Sequence, residues 1–279
     1  MTAYAFRIVN VFAESPLAGN PLCVFEDGRG LDDDTMQALA LQFNLSETTF
    51  VLPSTRATAR VRIFTPTFEM AFAGHPTLGT AHVVRSLRSA GDAVALELQA
   101  GVIPVTAQGD RWTLEANAPT HRPPGPAPAD LADVLGLSAD DLGPGPPLWV
   151  DTGSDQLIIP LRTFDAVRRA APRAEAMLTR ASNGTRAMAY VFARDGDQVL
   201  CRFFFPKHGA VVEDPGTGSA CANLGGWLLA TGAPLPQQLS LSQGEAVGRP
   251  CRLGLEVTTD RRIRVSGRVI ELGSGTVNL

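Results

Sequence analysis

Two short stretches of the chain carry ionisable residues in settings where they could do chemistry. In FAGHPTLGTAHVV (72–84), His75 stands before a proline and a Gly/Ala/Val-rich run; in EDPGTGSACANLGGWLL (213–229), Asp214 stands in the same setting. A helix start leaves backbone N–H groups unpaired and carries partial positive charge. Proline suits the first helical position, so the spacing predicts helices that start at Pro76 and Pro215. The flanking small residues let a ligand approach the backbone closely. Two such starts facing each other would hold a small anionic metabolite, most simply a carboxylate. The plainer alternative makes His75 and Asp214 helix N-caps and nothing more. A third candidate is Glu47 in NLSETTFVL, between a predicted helix and an apolar strand. A carboxylate held against an apolar wall has a raised pKa and can shuttle a proton; the same residue on an open turn is only a solvated acid.

Other chemistries find little support. There is no GxSxG, GxxxxGK[ST] or HExxH, and DPGTGSAC lacks the third glycine of a dinucleotide loop. Lys207 is the sole lysine, which disfavours imine chemistry. His75 and His82 lie seven residues apart and could share a helix face, but no third ligand is evident, so no metal is expected. Cys23, Cys201, Cys221 and Cys251 form no CxxC pair, which suits a reduced, cytoplasmic chain.

The elements that must position these residues read as a mostly β first half. Strands are expected over 4–12, 21–25, 59–64, 94–99, 102–107 and 111–115, with another from TTFVLP. A helix capped by Asp33 or Asp34 carries Met36, Leu39, Ala40 and Phe43 on one face and ends near Asn44. The proline-rich segment 118–130 reads as a linker. Strands then recur near 148–150, 156–161, 188–193, 198–205, 252–257, 262–266 and 268–272, with helical pieces at 164–182. Arg62-Ile-Phe-Thr-Pro66 matches Arg202-Phe-Phe-Phe-Pro206 at an offset of 140, and His75–Ala81 matches Asp214–Ala220 at 139. A repeat this long indicates two duplicated domains rather than a solenoid. Each repeat continues into an almost uncharged helix, which must be buried on every face. The expected fold class is therefore α+β, with two pseudo-symmetric domains, each a set of strands wrapped around a central helix. The first half-domain is expected over 1–117, open to completion by the C-terminal strands 266–279, and the second over 118–265.

With 24 basic and 28 acidic residues in 279, the net charge of −4 gives no reason to expect nucleic acid as a partner. The N-terminus lacks the pattern of a signal peptide, and no uncharged run reads as a membrane span.

NVFAESPLAGNPLCVF, NLSETTFV, AGHPTLGTAHV, EDPGTGSA and QGEAVGRP (243–250) together resemble the phenazine-biosynthesis PhzF-like family, which has the diaminopimelate epimerase-like fold. The resemblance implies a cofactor-independent isomerase that moves a proton on a dihydro-hydroxyanthranilate-like metabolite, with Glu47 as the base and acid. It further implies substrate contacts from His75, Asp214 and Ser219, backbone donors at Gly74 and Gly218, and a homodimer. Relatives that racemise amino acids use a cysteine on each side of the cleft, and this chain has neither. The alternative reading is a non-catalytic scaffold that binds metabolites or partners through the same inter-domain cleft.

Overall fold

Strand β1 (Ala3–Val11) pairs antiparallel with β2 (Asn20–Phe25), which runs parallel to β3 (Glu47–Leu52). The computed structural model describes residues 1–279 and divides into two compact units, Met1–Glu115 with Ser266–Leu279, and Ala116–Val265.

In the first unit, helix α1 (Asp33–Phe43) connects β2 to β3, and β4 (Ala59–Phe64) pairs antiparallel with β3. The short β5 (Glu69–Met70) folds back on β4 and delivers the chain to α2 (Gly74–Arg88). Strands β6 (Ala93–Leu98), β7 (Gly101–Gln108) and β8 (Arg111–Glu115) continue the sheet, β6 running parallel to β4. On its other side β1 pairs with the C-terminal strand described below. Helix α2 lies inside this curved sheet, buried from Gly74 to Ala81 and again at Val83 and Val84. Strand β2 is buried at every residue because α2 covers one face and α1 the other, the latter through Met36, Leu39 and Ala40. Strands β7 and β8 alternate buried and exposed residues, as a sheet with one solvated face must.

Close approach of α2 to its sheet depends on Gly79. A Cβ there would sit 2.6 Å from Leu22 Cδ2 and 2.9 Å from Val11 Cγ2. Asp32, not Asp33 or Asp34, caps α1, accepting from the Thr35 N–H at 2.8 Å, while Asp33 and Asp34 occupy the first turn. Asn44 ends the helix in the left-handed conformation, as its position suggests.

The second unit repeats these pairings. Its strands are β9 (Thr120–Arg122), β10 (Leu148–Asp151), β11 (Asp155–Pro160), β12 (Ala189–Asp195), β13 (Gln198–Lys207) and β14 (Ala210–Asp214). Beyond α6 (Gly218–Ala230) come β15 (Gln237–Gln243), β16 (Cys251–Val257) and β17 (Ile263–Asn278), the C-terminal strand whose last thirteen residues belong with the first unit. Antiparallel β10–β11, parallel β11–β12, antiparallel β12–β13 and parallel β13–β15 reproduce β1–β2, β2–β3, β3–β4 and β4–β6 in order. Buried α6 takes the place of α2, and α3 (Pro128–Val134), α4 (Phe164–Arg169) and α5 (Ala174–Arg180) cover the outer face. The segment expected as a linker thus contains β9 and the start of α3. The two short terminal strands expected at 262–266 and 268–272 are one continuous strand. No helix is long and apolar enough to cross a membrane.

Candidate active site

The hairpin leading into each central helix fixes where the candidate residues stand. Arg62 on β4 bridges Glu69 on β5 at 2.7 Å, and Arg202 on β13 bridges Glu213 on β14 at 2.7 Å. Each guanidinium also lies over the ring two residues on, Phe64 at 5.0 Å and Phe204 at 4.7 Å. Phe64 pairs with Glu69 and Phe204 with Glu213, so the offset between the units is 140 before the hairpin and 144 after it. The second hairpin is four residues longer. The helices then start at Gly74 and Gly218, also 144 apart, and not at Pro76 and Pro215 as the spacing suggests. The structural counterpart of His75 is therefore Ser219, while Asp214 ends strand β14. The matching His-Pro and Asp-Pro dipeptides occupy different places in the fold.

Neither His75 nor Asp214 is an N-cap. The caps are Ala73 and Thr217, and neither makes a side-chain capping bond to its helix. The backbone N–H groups that open α2 and α6, at Gly74 and Gly218, are therefore not satisfied by the side chains of their own cap residues.

In the first unit, Glu47 begins β3 opposite Leu22, beside the Asn20-Pro21 start of β2. His75 Nδ1 lies 3.2 Å from Glu47 Oε2, with the two side chains 6% and 15% exposed. Burial pushes His75 down to about 3, against a smaller opposing effect from the Pro21 carbonyl, which accepts a hydrogen bond from the imidazole. The imidazole is thus neutral at physiological pH, and its contact with Glu47 is not an ion pair. His75 Nε2 and the neighbouring Thr48 hydroxyl are buried with no hydrogen-bond partner in the protein. One helical turn on, the Thr80 hydroxyl is bonded to Thr49 at 2.8 Å, which ties α2 to β3. His82 takes the Trp112 indole N–H on Nδ1 at 3.2 Å and plays no part in this cluster.

In the second unit, the residue opposite Leu157, where Glu47 would stand, is Ala189, so the acid is present once only. Asp214 accepts a short hydrogen bond on Oδ2 from the Thr217 hydroxyl. Buried Gln243 braces both: its Nε2 donates to the Asp214 carbonyl at 2.9 Å and to Thr217 Oγ1 at 3.0 Å. Ser219 Oγ accepts from Gln156 Nε2 at 2.9 Å. Gln156, Asn223, Thr217 and Gln243 are absent from the sequence-based candidates. Gln243 does open the QGEAVGRP motif, and Asn223 is the lone amide in an otherwise apolar helix; both were available signals. The four cysteines are all buried, and burial pushes each thiol up, Cys201 to about 12.

Comparison with known proteins places this geometry. The family model for phenazine biosynthesis-like proteins, PhzC-PhzF, matches residues 9–275. An uncharacterised isomerase of Pasteurella multocida is 38% identical, covering 99% of this chain and 94% of its own length. The trans-2,3-dihydro-3-hydroxyanthranilate isomerase of Pseudomonas aeruginosa is 34% identical over 90% of this chain and 89% of its own. Among solved structures, a PhzF-family phenazine biosynthesis protein of Bacillus anthracis superposes with a TM-score of 0.89 at 25% identity, covering 100% of both chains. With the diaminopimelate epimerase-like fold and these relatives, the chain belongs to the PhzC-PhzF family of phenazine biosynthesis-like proteins and is an isomerase of that family.

Proposed function

We propose that the protein isomerises a small carboxylate-bearing metabolite, similar to trans-2,3-dihydro-3-hydroxyanthranilate, by moving one proton with Glu47 and without a cofactor. The observation that carries this reading is the electrostatic state of the Glu47–His75 pair. Burial holds the His75 imidazole down to about 3, which makes it a poor base, and the Glu47 carboxylate 3.2 Å from its Nδ1 is the group beside it that can take the proton. Neutral His75 has both donor and acceptor capacity and is a hydrogen-bonding group for the substrate.

The step balances without any co-reactant. The Glu47 carboxylate removes a proton from a carbon next to a conjugated system, and the electron pair of that C–H bond moves into the system. The resulting carboxylic acid returns the proton to another carbon, which restores the carboxylate. In the first unit His75 and the Gly74 backbone N–H, and in the second Asp214, Ser219 and the Gly218 backbone N–H, are the groups this reading assigns to the polar atoms of the substrate. The reading extends to a cytoplasmic homodimer, for which light scattering on the purified protein is the measurement. The test of substrate class is incubation with trans-2,3-dihydro-3-hydroxyanthranilate in D₂O, followed by proton NMR. A shifted double bond with deuterium at the newly protonated carbon supports the reading; unchanged substrate at high enzyme concentration rejects this substrate class.

A further inference from the structure

Behind Ser219, the second unit holds a chain of buried polar groups whose donor and acceptor directions are fixed by the backbone. Asn223 is fully buried, and its Oδ1 accepts from the Thr152 backbone N–H at 2.9 Å and from the Thr152 hydroxyl at 2.7 Å. Its Nδ2 donates to the Ser154 carbonyl at 2.7 Å and to Gln156 Oε1 at 2.8 Å. A backbone N–H can only donate and a carbonyl can only accept, so the opposite orientation of the amide would set donor against donor at Thr152 and acceptor against acceptor at Ser154. Asn223 in turn fixes Gln156, which is 2% exposed: Oε1 is the acceptor from Asn223, and Nε2 must donate to Ser219 Oγ. The Ser219 hydroxyl is therefore an acceptor on its inner side, and its own proton points away from Gln156. Ser219 is itself only partly buried.

We propose that Gln156 and Asn223 are positioning residues that hold the Ser219 hydroxyl as an outward donor, so that the second unit selects substrates offering an acceptor oxygen, such as a carboxylate, at that point. The proposal deepens the reading of Ser219 as a substrate contact and rests on it. The first unit makes a different choice at the equivalent place: Pro21 stands where Gln156 does, and its carbonyl faces His75 as an acceptor. One unit thus presents a hydroxyl whose proton direction is set by an amide chain, the other an imidazole set by a backbone carbonyl.

A double-mutant cycle tests the assignment, with anthranilate as the carboxylate-bearing probe of binding by calorimetry and the Michaelis parameters as the second readout. Ser219→Ala removes the donor and is expected to weaken binding by about tenfold or more, the value of a hydrogen bond to a charged group. Gln156→Met, close in volume and without a donor, frees the hydroxyl to rotate and is expected to weaken binding about three- to tenfold, raising KM with little change in kcat. In the Ser219→Ala background the same Gln156→Met change is expected to have almost no effect, because there is no hydroxyl left to orient. Gln156→Asn keeps an amide but is one carbon too short to reach Ser219, and serves as the second variant if methionine disturbs folding. Equal weakening by the Gln156 variants in both backgrounds overturns the positioning role and leaves Ser219 as a contact. No weakening by Ser219→Ala overturns the contact and the positioning role together.

Discussion

Acidification should reveal the buried state of His75 as a specific loss of stability. Burial holds this imidazole near 3 in the folded chain, whereas a histidine in an unfolded chain titrates near 6.5. Between those values the unfolded chain binds a proton that the folded chain refuses. Stability supplied by neutral His75 is therefore complete above about pH 6.5 and falls as pH drops toward 3. The slope approaches about 1.4 kcal/mol per pH unit once the pH is well below 6.5, so about 2 kcal/mol is lost between about pH 6.5 and pH 4.5. Urea unfolding of the wild type and of His75→Asn, at about pH 7 and about pH 4.5, isolates the contribution. Groups such as Asp141, which a hydrogen bond from Arg169 holds near 2, titrate alike in both proteins and cancel in the comparison. The wild type should lose about 2.5 kcal/mol more than the variant on acidification. Equal losses would show that His75 titrates normally, and would remove the argument that the imidazole is too weak a base to compete with Glu47.

Two further outcomes follow from packing and burial. Gly79→Ala places a methyl 2.6 Å from Leu22 Cδ2, so despite a gain of about 1 kcal/mol in helix propensity it should destabilise the protein by about 1–2 kcal/mol, measured by thermal melting. Iodoacetamide should modify the four buried, high-pKa thiols slowly in the native protein and quickly in denaturant, and activity should survive native treatment; fast loss with protection by substrate would instead indicate thiol catalysis.

Much of this architecture is legible in the residues. Apolar α2 and α6 could only be buried helices, and the Arg-Ile-Phe and Arg-Phe-Phe strands announce a duplicated hairpin whose arginines do make equivalent bridges. Helix starts proved less readable. His75-Pro and Asp214-Pro look like one sentence written twice, but the longer β13–β14 hairpin shifts the second helix, and the true counterpart of His75 is Ser219. Local similarity records residue types, whereas equivalence in a fold depends on hairpin length and register, which only pairing reveals. The amide chain behind Ser219 was hidden for a related reason. Thr152, Gln156 and Asn223 are separated by up to 71 residues, and asparagine in an apolar helix has no local periodicity to mark what it will meet. The pair Glu47 and His75 had distinct local settings, yet only the parallel β2–β3 pairing and the α2 start bring them within 3.2 Å.

The most direct test of the central claim is turnover by Glu47→Gln. The amide keeps the size of the carboxyl group but has no basic oxygen to accept a proton. With trans-2,3-dihydro-3-hydroxyanthranilate as substrate in D₂O, loss of the base should cut the rate by about 10²–10⁴-fold and remove deuterium labelling of the product, while anthranilate still binds and the fold persists. Wild-type rate and labelling in Glu47→Gln would contradict the account and show that the migrating proton is carried by another group.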